Sequence, residues 1–414
     1  MKLSKAIKSG HPATLFASFL YFDVSFMIWT LIGALGIYLS RDLQLSPWQK
    51  GLIVSIPLLG GAIFRIGVGF GVDRIGPRRM GLITLSVLLI PLLWGYLAAT
   101  SFYELILLGF LLGVAGASFA VAMPMASRCY PPEHQGIALG IAGAGNSGTM
   151  ISALCAPLIA ERLGWHAVFG LALIPLSITL LIFYRFAQEH GPPPLPVSKA
   201  RVLSLLGRSE LLEFSAYYGV TFGGYVGLAS FLPIFLSDTY ALGPVAAGGM
   251  VAAAVFTGSL MRPIGGYLAD RVGGRKLLIG IYIGVAICFG VVAVTPSLWA
   301  VGLGLFLMMS MLGLGNGAVF QEVPQRFRED VGFVSGIIGA VGGLGGFLLP
   351  TLLGAFKEGI GSFLLGFLLL GLVSLSCAIT AFFKQSHENL TPAALPPLPE
   401  IDDGRVRMEV LFGG

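Results

Sequence analysis

Two arginines at matching positions in long apolar stretches are the residues whose chemistry most needs an explanation. Arg65 and Arg262 each precede an aspartate, Asp73 or Asp270, by eight residues, and no acidic residue of the same stretch shares their depth. Eight helical residues rise about 12 Å, so both guanidinium groups would lie inside a membrane rather than at its edge. Each such arginine costs about 2.5–3.5 kcal/mol. We expect a bound anion to compensate, and arginine's planar fork suits a flat oxyanion.

Two carboxyl groups are candidates for carrying protons. Asp23 lies about 15 Å into the first apolar stretch and is the most deeply placed acid of the chain. Glu322, near the end of the tenth stretch, is the second candidate. A purely structural role is the alternative both for Asp23 and for the two arginines. Asp23 could simply pair with a neighbouring hydroxyl, and an arginine could snorkel or pair with a helix-end carbonyl.

The elements that must position these residues are membrane helices. Hydrophobic residues make up 56% of the 414-residue chain and charged residues only 11%, whereas a soluble domain carries about 25% charged residues. Twelve apolar stretches are each long enough to cross a hydrocarbon core of about 30 Å. The predicted spans 1 to 12 cover residues 14–38, 49–72, 80–99, 103–127, 135–160, 164–186, 211–236, 244–270, 277–296, 298–321, 332–355 and 361–383.

Lysine and arginine are distributed unevenly between the connections. The odd-numbered connections hold Arg41, Lys50, Arg162 and Lys357. The N-terminus and the even-numbered connections hold Lys2, Lys5, Lys8, Arg74, Arg78, Arg79, Arg128, Arg185, Lys199, Arg201, Arg208, Arg271, Arg275, Lys276, Arg326 and Arg328. By the positive-inside rule both termini face the cytoplasm. Residues 1–13 lack the features of a cleavable signal peptide, so span 1 is expected to stay in the membrane.

One pattern occurs twice, at the ends of spans 2 and 8. It runs G-x-x-x-D-R-x-G-x-R-R from Gly69 and, with lysine in the last place, from Gly266, at a separation of 197 residues. Repetition at half the chain length indicates two homologous helix bundles. We therefore predict a six-helix bundle over 1–187, a Pro-rich cytoplasmic linker over 188–210, a second bundle over 211–384 and a disordered cytoplasmic tail over 385–414.

This repeated pattern resembles the cytoplasmic loop motif of the major facilitator superfamily. The resemblance implies an all-α fold of twelve transmembrane helices in two pseudo-symmetric bundles. The charges of the motif can pair with one another or cap a helix, and so hold one conformation closed. The candidate gating residues are Asp73, Arg74, Arg78, Asp270, Arg271 and Arg275. The alternative is that the charges of this motif have no gating role and only set the orientation of the protein in the membrane.

Three spans resemble the nitrate/nitrite porter family, of which NarK and NasA are members. Span 5 reads G-I-A-G-A-G-N-S-G from Gly140, and span 11 reads G-I-I-G-A-V-G-G-L-G-G from Gly336; span 10 is similar from Gly313 to Pro324, although Glu322 stands where an uncharged residue is expected. In this family two arginines hold nitrate between aromatic side chains, beside an asparagine. The resemblance gives these roles to Arg65, Arg262, Phe119, Tyr218, Phe222 and Asn146, with glycines Gly143, Gly145, Gly339 and Gly342.

The resemblance implies nitrate uptake by alternating access, coupled to protons, in a bacterial cytoplasmic (inner) membrane. A nitrate/nitrite antiporter would use the same binding residues, and a phosphate or organic-anion carrier would need a wider cavity. A nutrient sensor of this fold is a further alternative. The expected partners are nitrate, nitrite as a second anion, protons and the lipid bilayer, with the protein a monomer. We expect that the protein is not an enzyme and that it binds no cofactor, metal or nucleic acid. The sequence has neither a recognisable set of catalytic groups nor residues at the spacing of metal ligands.

Overall fold

The computed structural model describes residues 9–131, 134–189, 199–327 and 330–390. Regular secondary structure in this part of the chain is helical, and twelve helical spans are long and apolar enough to cross a membrane. The predicted all-α fold with twelve spans is therefore confirmed. The spans run Pro12–Asp42, Pro47–Ile75, Pro77–Leu97, Phe102–Arg128, Ile137–Leu163, Trp165–Phe186, Ser209–Tyr240, Pro244–Val272, Gly274–Val294, Leu298–Arg326, Val331–Ile360 and Leu364–Ser386.

Three spans that we predicted as continuous are interrupted. Span 1 consists of helices Pro12–Trp29 and Leu31–Asp42, and span 4 of Phe102–Gly116 and Phe119–Arg128. In span 5, the helix Gln135–Gly143 passes through a 3-10 turn, Ala144–Ser147, into the helix Gly148–Leu163. Irregular backbone at membrane depth is tolerated only where it is buried in protein or lines a cavity. Two of the interruptions fall at predicted site residues, Phe119 and Asn146.

Local sequence signals fix where spans 2 and 4 begin. Ser46 and Gln49 form a reciprocal capping box at the start of span 2, where Pro47 takes the first helical position. Ser101 and Glu104 form the same arrangement at the start of span 4. Each box satisfies backbone N–H groups that the first helical turn leaves without partners. The first turn of each of these two spans is thereby stabilised.

The internal repeat is also present in the backbone. Gly76 and Gly273 join spans 2–3 and 8–9 with φ of 85° and 90°, and Gly164 and Gly361 follow spans 5 and 11 with φ of 80° and 76°. Both pairs are separated by the same 197 residues as the repeated motif. A positive φ is open to glycine because it has no Cβ. The two halves therefore turn in the same way at equivalent places.

The two halves are tightly packed at the side of the molecule that lies away from the basic connections. We call this side the opposite side, and we call the side that carries the basic connections the basic side. Lys50 pairs with Asp238 at 2.9 Å. Glu358 accepts hydrogen bonds from the Ser46 hydroxyl at 2.6 Å and from the Trp48 N–H at 2.8 Å. A Cβ added to Gly51 of span 2 would collide with the carbonyl of Pro350 in span 11. Small residues thus let helices of different halves approach closely.

The predicted linker and tail are only partly described. Within 188–210 the structure contains a helix, Lys199–Leu206, and Arg201 pairs with Asp330 at 2.7 Å, next to the start of span 11. The last helix, Leu364–Leu390, continues past residue 384, where we predicted the tail to begin. The remainder of these two segments, residues 190–198 and 391–414, lies outside the described residues.

Candidate functional site

Arg65 of span 2 joins the two halves of the protein. Its side chain is buried, with 2% exposure. One terminal nitrogen donates to the carbonyl of Gly116 in span 4, and the other donates to the carbonyl of Gly339 in span 11, each at 2.6 Å. Its Nε is buried and has no hydrogen-bond partner. The carbonyl pairing that we kept as an alternative is thus present, and it leaves part of the guanidinium group unsatisfied.

Arg262 of span 8 has an unsatisfied nitrogen as well. Its side chain interacts electrostatically with the hydroxyl of Tyr218 in span 7, while its Nη1 is buried without a partner. Buried polar groups are hydrogen-bonded in the great majority of cases, so an exception indicates a missing ligand, water or ion. A cationic N–H in such a place would be satisfied best by an anion.

Phe119 brings the two arginines together. The guanidinium carbon of Arg65 lies 5.9 Å from the centroid of the Phe119 ring, and that of Arg262 lies 5.7 Å from the same centroid. Phe222 lies on Arg65 as well, at 5.5 Å. Each arginine is thus within the range of a cation–π contact. The structure therefore places one guanidinium group from each half beside one shared aromatic ring.

Tyr218 and Phe222 extend this aromatic wall along span 7. Their rings are stacked with centroids 4.9 Å apart and planes 2° from parallel, as their i, i+4 spacing predicts. Phe222 continues onto Trp29 of span 1, whose ring stacks on it at 6.2 Å. Such a wall excludes water and strengthens the electrostatic interactions of any ion beside it.

Phe320 of span 10 belongs to the same cluster, although sequence reasoning did not assign it a role. Its ring meets that of Phe119 at 5.5 Å and that of Tyr218 edge-on at 4.8 Å. Phe119 and Phe320 come from different halves, so their contact bridges the interface. The position of Phe320 in the glycine-rich segment of span 10, one turn after Asn316, was the signal that could have identified it.

The four glycines predicted for the site differ in their surroundings. A Cβ on Gly339 would lie 2.6 Å from the Arg65 Nη1, and one on Gly342 would lie 2.6 Å from the Tyr218 ring. A Cβ on Gly145 would meet the ring of Phe22 at 2.8 Å. At Gly143 an added Cβ would have no atom within 4 Å. At three of these positions an added Cβ would therefore force a neighbouring side chain to move, while Gly143 adjoins open space.

Asn146 lies in the 3-10 turn of span 5, which Asp23 of span 1 contacts through the side chain of Ser147. Asn146 is buried, and its Oδ1 has no hydrogen-bond partner. Asp23 is 7% exposed and accepts from the Ser147 hydroxyl at 2.6 Å. The hydroxyl pairing that we left open for Asp23 is present. Asp23 thereby contacts the segment that carries Asn146.

Glu322, the second proton candidate, belongs to a cluster at the basic side. One of its oxygens accepts from the backbone N–H of Gly274 at 2.9 Å, and the other pairs with Arg326 at 3.3 Å. The first contact caps the N-terminus of span 9, which favours a carboxylate. These contacts give Glu322 a structural role and do not join it to Arg65 or Arg262.

The candidate gating residues make their described contacts within their own half. Asp270 accepts from Gln321 at 2.7 Å, and Arg275 pairs with Glu213 at 3.0 Å in span 7. Arg271 lies 4.4 Å from the centroid of Tyr267. In the first half, Arg78 donates to the carbonyl of Tyr184 at 2.9 Å. Asp73 is half-buried and interacts electrostatically with Arg128 of span 4, and Arg74 is exposed.

The sequence matches one family model over most of its length. The model is described as Major Facilitator Superfamily and covers residues 17–350. Among solved structures, a bacterial homolog to the human lysosomal transporter Spinster, in an inward-facing and occupied conformation, superposes with a TM-score of 0.67 at 19% identity. The alignment covers 92% of this chain and 98% of that chain, and it concerns the fold alone.

Curated relatives align over nearly their full length. The "Nitrite extrusion protein" of Bacillus subtilis is 32% identical over 365 residues, 88% of this chain and 92% of that protein. The "Probable nitrate/nitrite transporter NarK2" of Mycobacterium tuberculosis is 34% identical, over 86% of this chain and 93% of its own. The "Probable nitrate/nitrite antiporter NarK1" of Thermus thermophilus is 33% identical, over 82% and 83%.

Proposed function

Because the chain belongs to the Major Facilitator Superfamily and, within it, to the family of nitrate and nitrite transporters, we propose that it carries nitrate across the membrane by alternating access. It is a multi-pass membrane transporter and not an enzyme. In this proposal nitrate binds between Arg65 and Arg262, against Phe119, Tyr218 and Phe222.

One observation carries this assignment. A guanidinium group from each half reaches the same Phe119 ring, at 5.9 and 5.7 Å, and each keeps a buried nitrogen without a partner. Nitrate is flat and delocalised, and it can accept in-plane hydrogen bonds from both forks while its faces lie on aromatic rings. Phosphate is tetrahedral and strongly hydrated, so it would fit poorly in a narrow space beside aromatic rings.

The proposed cycle follows from where the halves touch. The opposite side is closed by the Lys50–Asp238 pair and by Glu358, and these contacts must break for the site to reach that side. Two unneutralised arginines repel each other and resist the conformational change, whereas an anion between them attracts both halves. We assign the basic side to the cytoplasm of a bacterial inner membrane, with both termini there.

Proton-coupled uptake is the mode of transport that we propose. Asp23 is the candidate carrier, because its carboxyl contacts the 3-10 turn that holds Asn146, so a proton on Asp23 would alter the support of the binding site. Nitrate/nitrite exchange is the second candidate, since a relative is named as an antiporter, and it needs the same arginines. The whole proposed path lies within one chain, which agrees with a monomer.

Flux measurements in proteoliposomes test the function and its mode together. Nitrate uptake would be followed with an inward proton gradient, without a gradient, and without a gradient but with nitrite inside. Proton-coupled transport predicts saturable uptake stimulated by the gradient. Uptake that depends on internal nitrite would establish the exchange mode instead. Uptake no faster than in protein-free liposomes under all three conditions would refute the proposed function.

A further inference from the structure

We propose that Asn316 of span 10 is a further anion-positioning residue, whose side-chain amide donates a hydrogen bond to the oxyanion beside Arg262. This inference rests on the proposed function and adds a contact from the second half of the protein. It would give the anion one amide from each half, Asn146 and Asn316, in addition to one arginine from each half.

The internal repeat places Asn316 at the equivalent of Phe119. A separation of 197 residues relates Arg65 to Arg262 and also relates Phe119 to Asn316. Spans 2 and 4 pack together as spans 8 and 10 do. Phe119 contacts the arginine of its own half, Arg65, at 5.9 Å. The pseudo-symmetry therefore places Asn316 next to the arginine of its own half, Arg262.

Packing around span 10 supports the same position. The backbone of Gly317 lies against the carbonyl of Arg262, and a Cβ on Gly315 would lie 2.5 Å from the side chain of Thr221 in span 7. One helical turn after Asn316, Phe320 contacts Tyr218 and Phe119. Residues four apart share a helix face. Asn316 therefore lies on the face of span 10 that meets the aromatic wall.

The chemistry of the side chain points to a ligand. Asn316 is 1% exposed, and its Oδ1 has no hydrogen-bond partner. An amide carries two N–H donors and can present either its oxygen or its nitrogen by a half-turn of the terminal torsion. Packing alone would be served better by an apolar residue, because a buried amide group without a partner is unfavourable. After this half-turn the Nδ2 would take the buried place of the Oδ1, and an oxyanion held by Arg262 would accept a hydrogen bond from it.

The test measures nitrate kinetics of N316A and N316D in proteoliposomes, beside wild type and T179V. Thr179 of span 6 is a matched control, because its hydroxyl is also buried without a partner, and span 6 packs mainly against spans 1, 3 and 5 rather than against the spans of Arg65 and Arg262. Loss of one hydrogen bond to a charged group predicts a KM at least tenfold higher for N316A, with kcat within about twofold of wild type. In N316D the new carboxylate would compete with the anion for Arg262, so saturable uptake should be lost. T179V should keep the wild-type KM.

The outcomes separate the two hypotheses. If wild type takes up nitrate and N316A keeps its KM within twofold, Asn316 does not bind the anion and this inference is wrong. If wild type shows no saturable nitrate uptake, the proposed function itself fails. Should N316A not be recovered as a folded protein, N316S retains a small polar side chain and is judged by the same KM criterion.

Discussion

Arg65 donates to the carbonyl of Gly339 at 2.6 Å, across the interface between the two halves. The same guanidinium group donates to Gly116 within its own half, also at 2.6 Å. Arg65 thus holds spans 2, 4 and 11 together through two carbonyls while its Nε keeps a free donor. In the proposed binding mode, Arg65 would therefore couple the occupancy of the site to the relative position of the two halves.

Replacing Arg65 or Arg262 by lysine should abolish efficient transport. Lysine keeps the charge but is a point donor, so it cannot hold two carbonyls and a flat anion in the geometry of a planar fork. We expect nitrate uptake by R65K and by R262K to fall to less than a tenth of the wild-type rate. The exposed Arg79 of the basic side is the control, since R79K should transport normally. Wild-type KM and kcat in R65K would contradict the proposed binding site.

Gly339 should not tolerate alanine, whereas Gly336, three residues before it, should. A Cβ at position 339 would lie 2.6 Å from the Arg65 Nη1, while one at position 336 would meet no atom within 4 Å. Since Arg65 is buried and held by two carbonyls, it has little room to move. We expect G339A to lose at least nine-tenths of nitrate uptake and G336A to keep more than half. Equal activity of the two variants would show that Arg65 adapts freely.

The sequence predicted the fold and most members of the candidate site, for identifiable reasons. Span lengths, the one-sided basic connections and the repeat between Asp73 and Asp270 determine the architecture. The arginines were identified because a charged side chain inside a membrane is energetically costly. Phe119, Tyr218 and Phe222 were identified only by the resemblance to the nitrate/nitrite porter family. The carbonyl partners of Arg65 could not be predicted, because they depend on how closely span 11 approaches span 2. The 3-10 turn at Asn146 was missed for a similar reason: the contact with Asp23 that accompanies it comes from another span.

Asp23→Asn should separate transport from its driving force. Asparagine retains an oxygen that can accept from Ser147, but it cannot take up a proton in the accessible pH range. We expect D23N to lose stimulation of nitrate uptake by an inward proton gradient and to keep nitrate exchange at zero gradient. S147A is the control, because it removes the 2.6 Å hydrogen bond and leaves the carboxyl in place. Undiminished gradient-driven uptake by D23N would exclude Asp23 as the proton carrier.

The two copies of the basic-side motif should differ in their contribution to stability. In the second half Arg275 pairs with Glu213, and their side chains are only 3% and 6% exposed. At the position equivalent to Glu213, 197 residues earlier, the first half has Phe16, and Arg78 donates to a carbonyl instead. Neutralising one partner of a buried ion pair leaves the other charge buried, which costs about 3–5 kcal/mol.

We therefore expect E213Q to melt at a temperature several degrees lower than wild type in detergent, which light scattering or dye binding would measure. R78A should shift the midpoint less, because Arg78 is only half-buried and has an exchangeable carbonyl partner. The double variant E213Q/R275M replaces the pair by groups without a buried charge, and it should recover much of the lost stability. If E213Q melts like wild type, Arg275 must reach water or another acid, and the ion pair does not stabilise the second half.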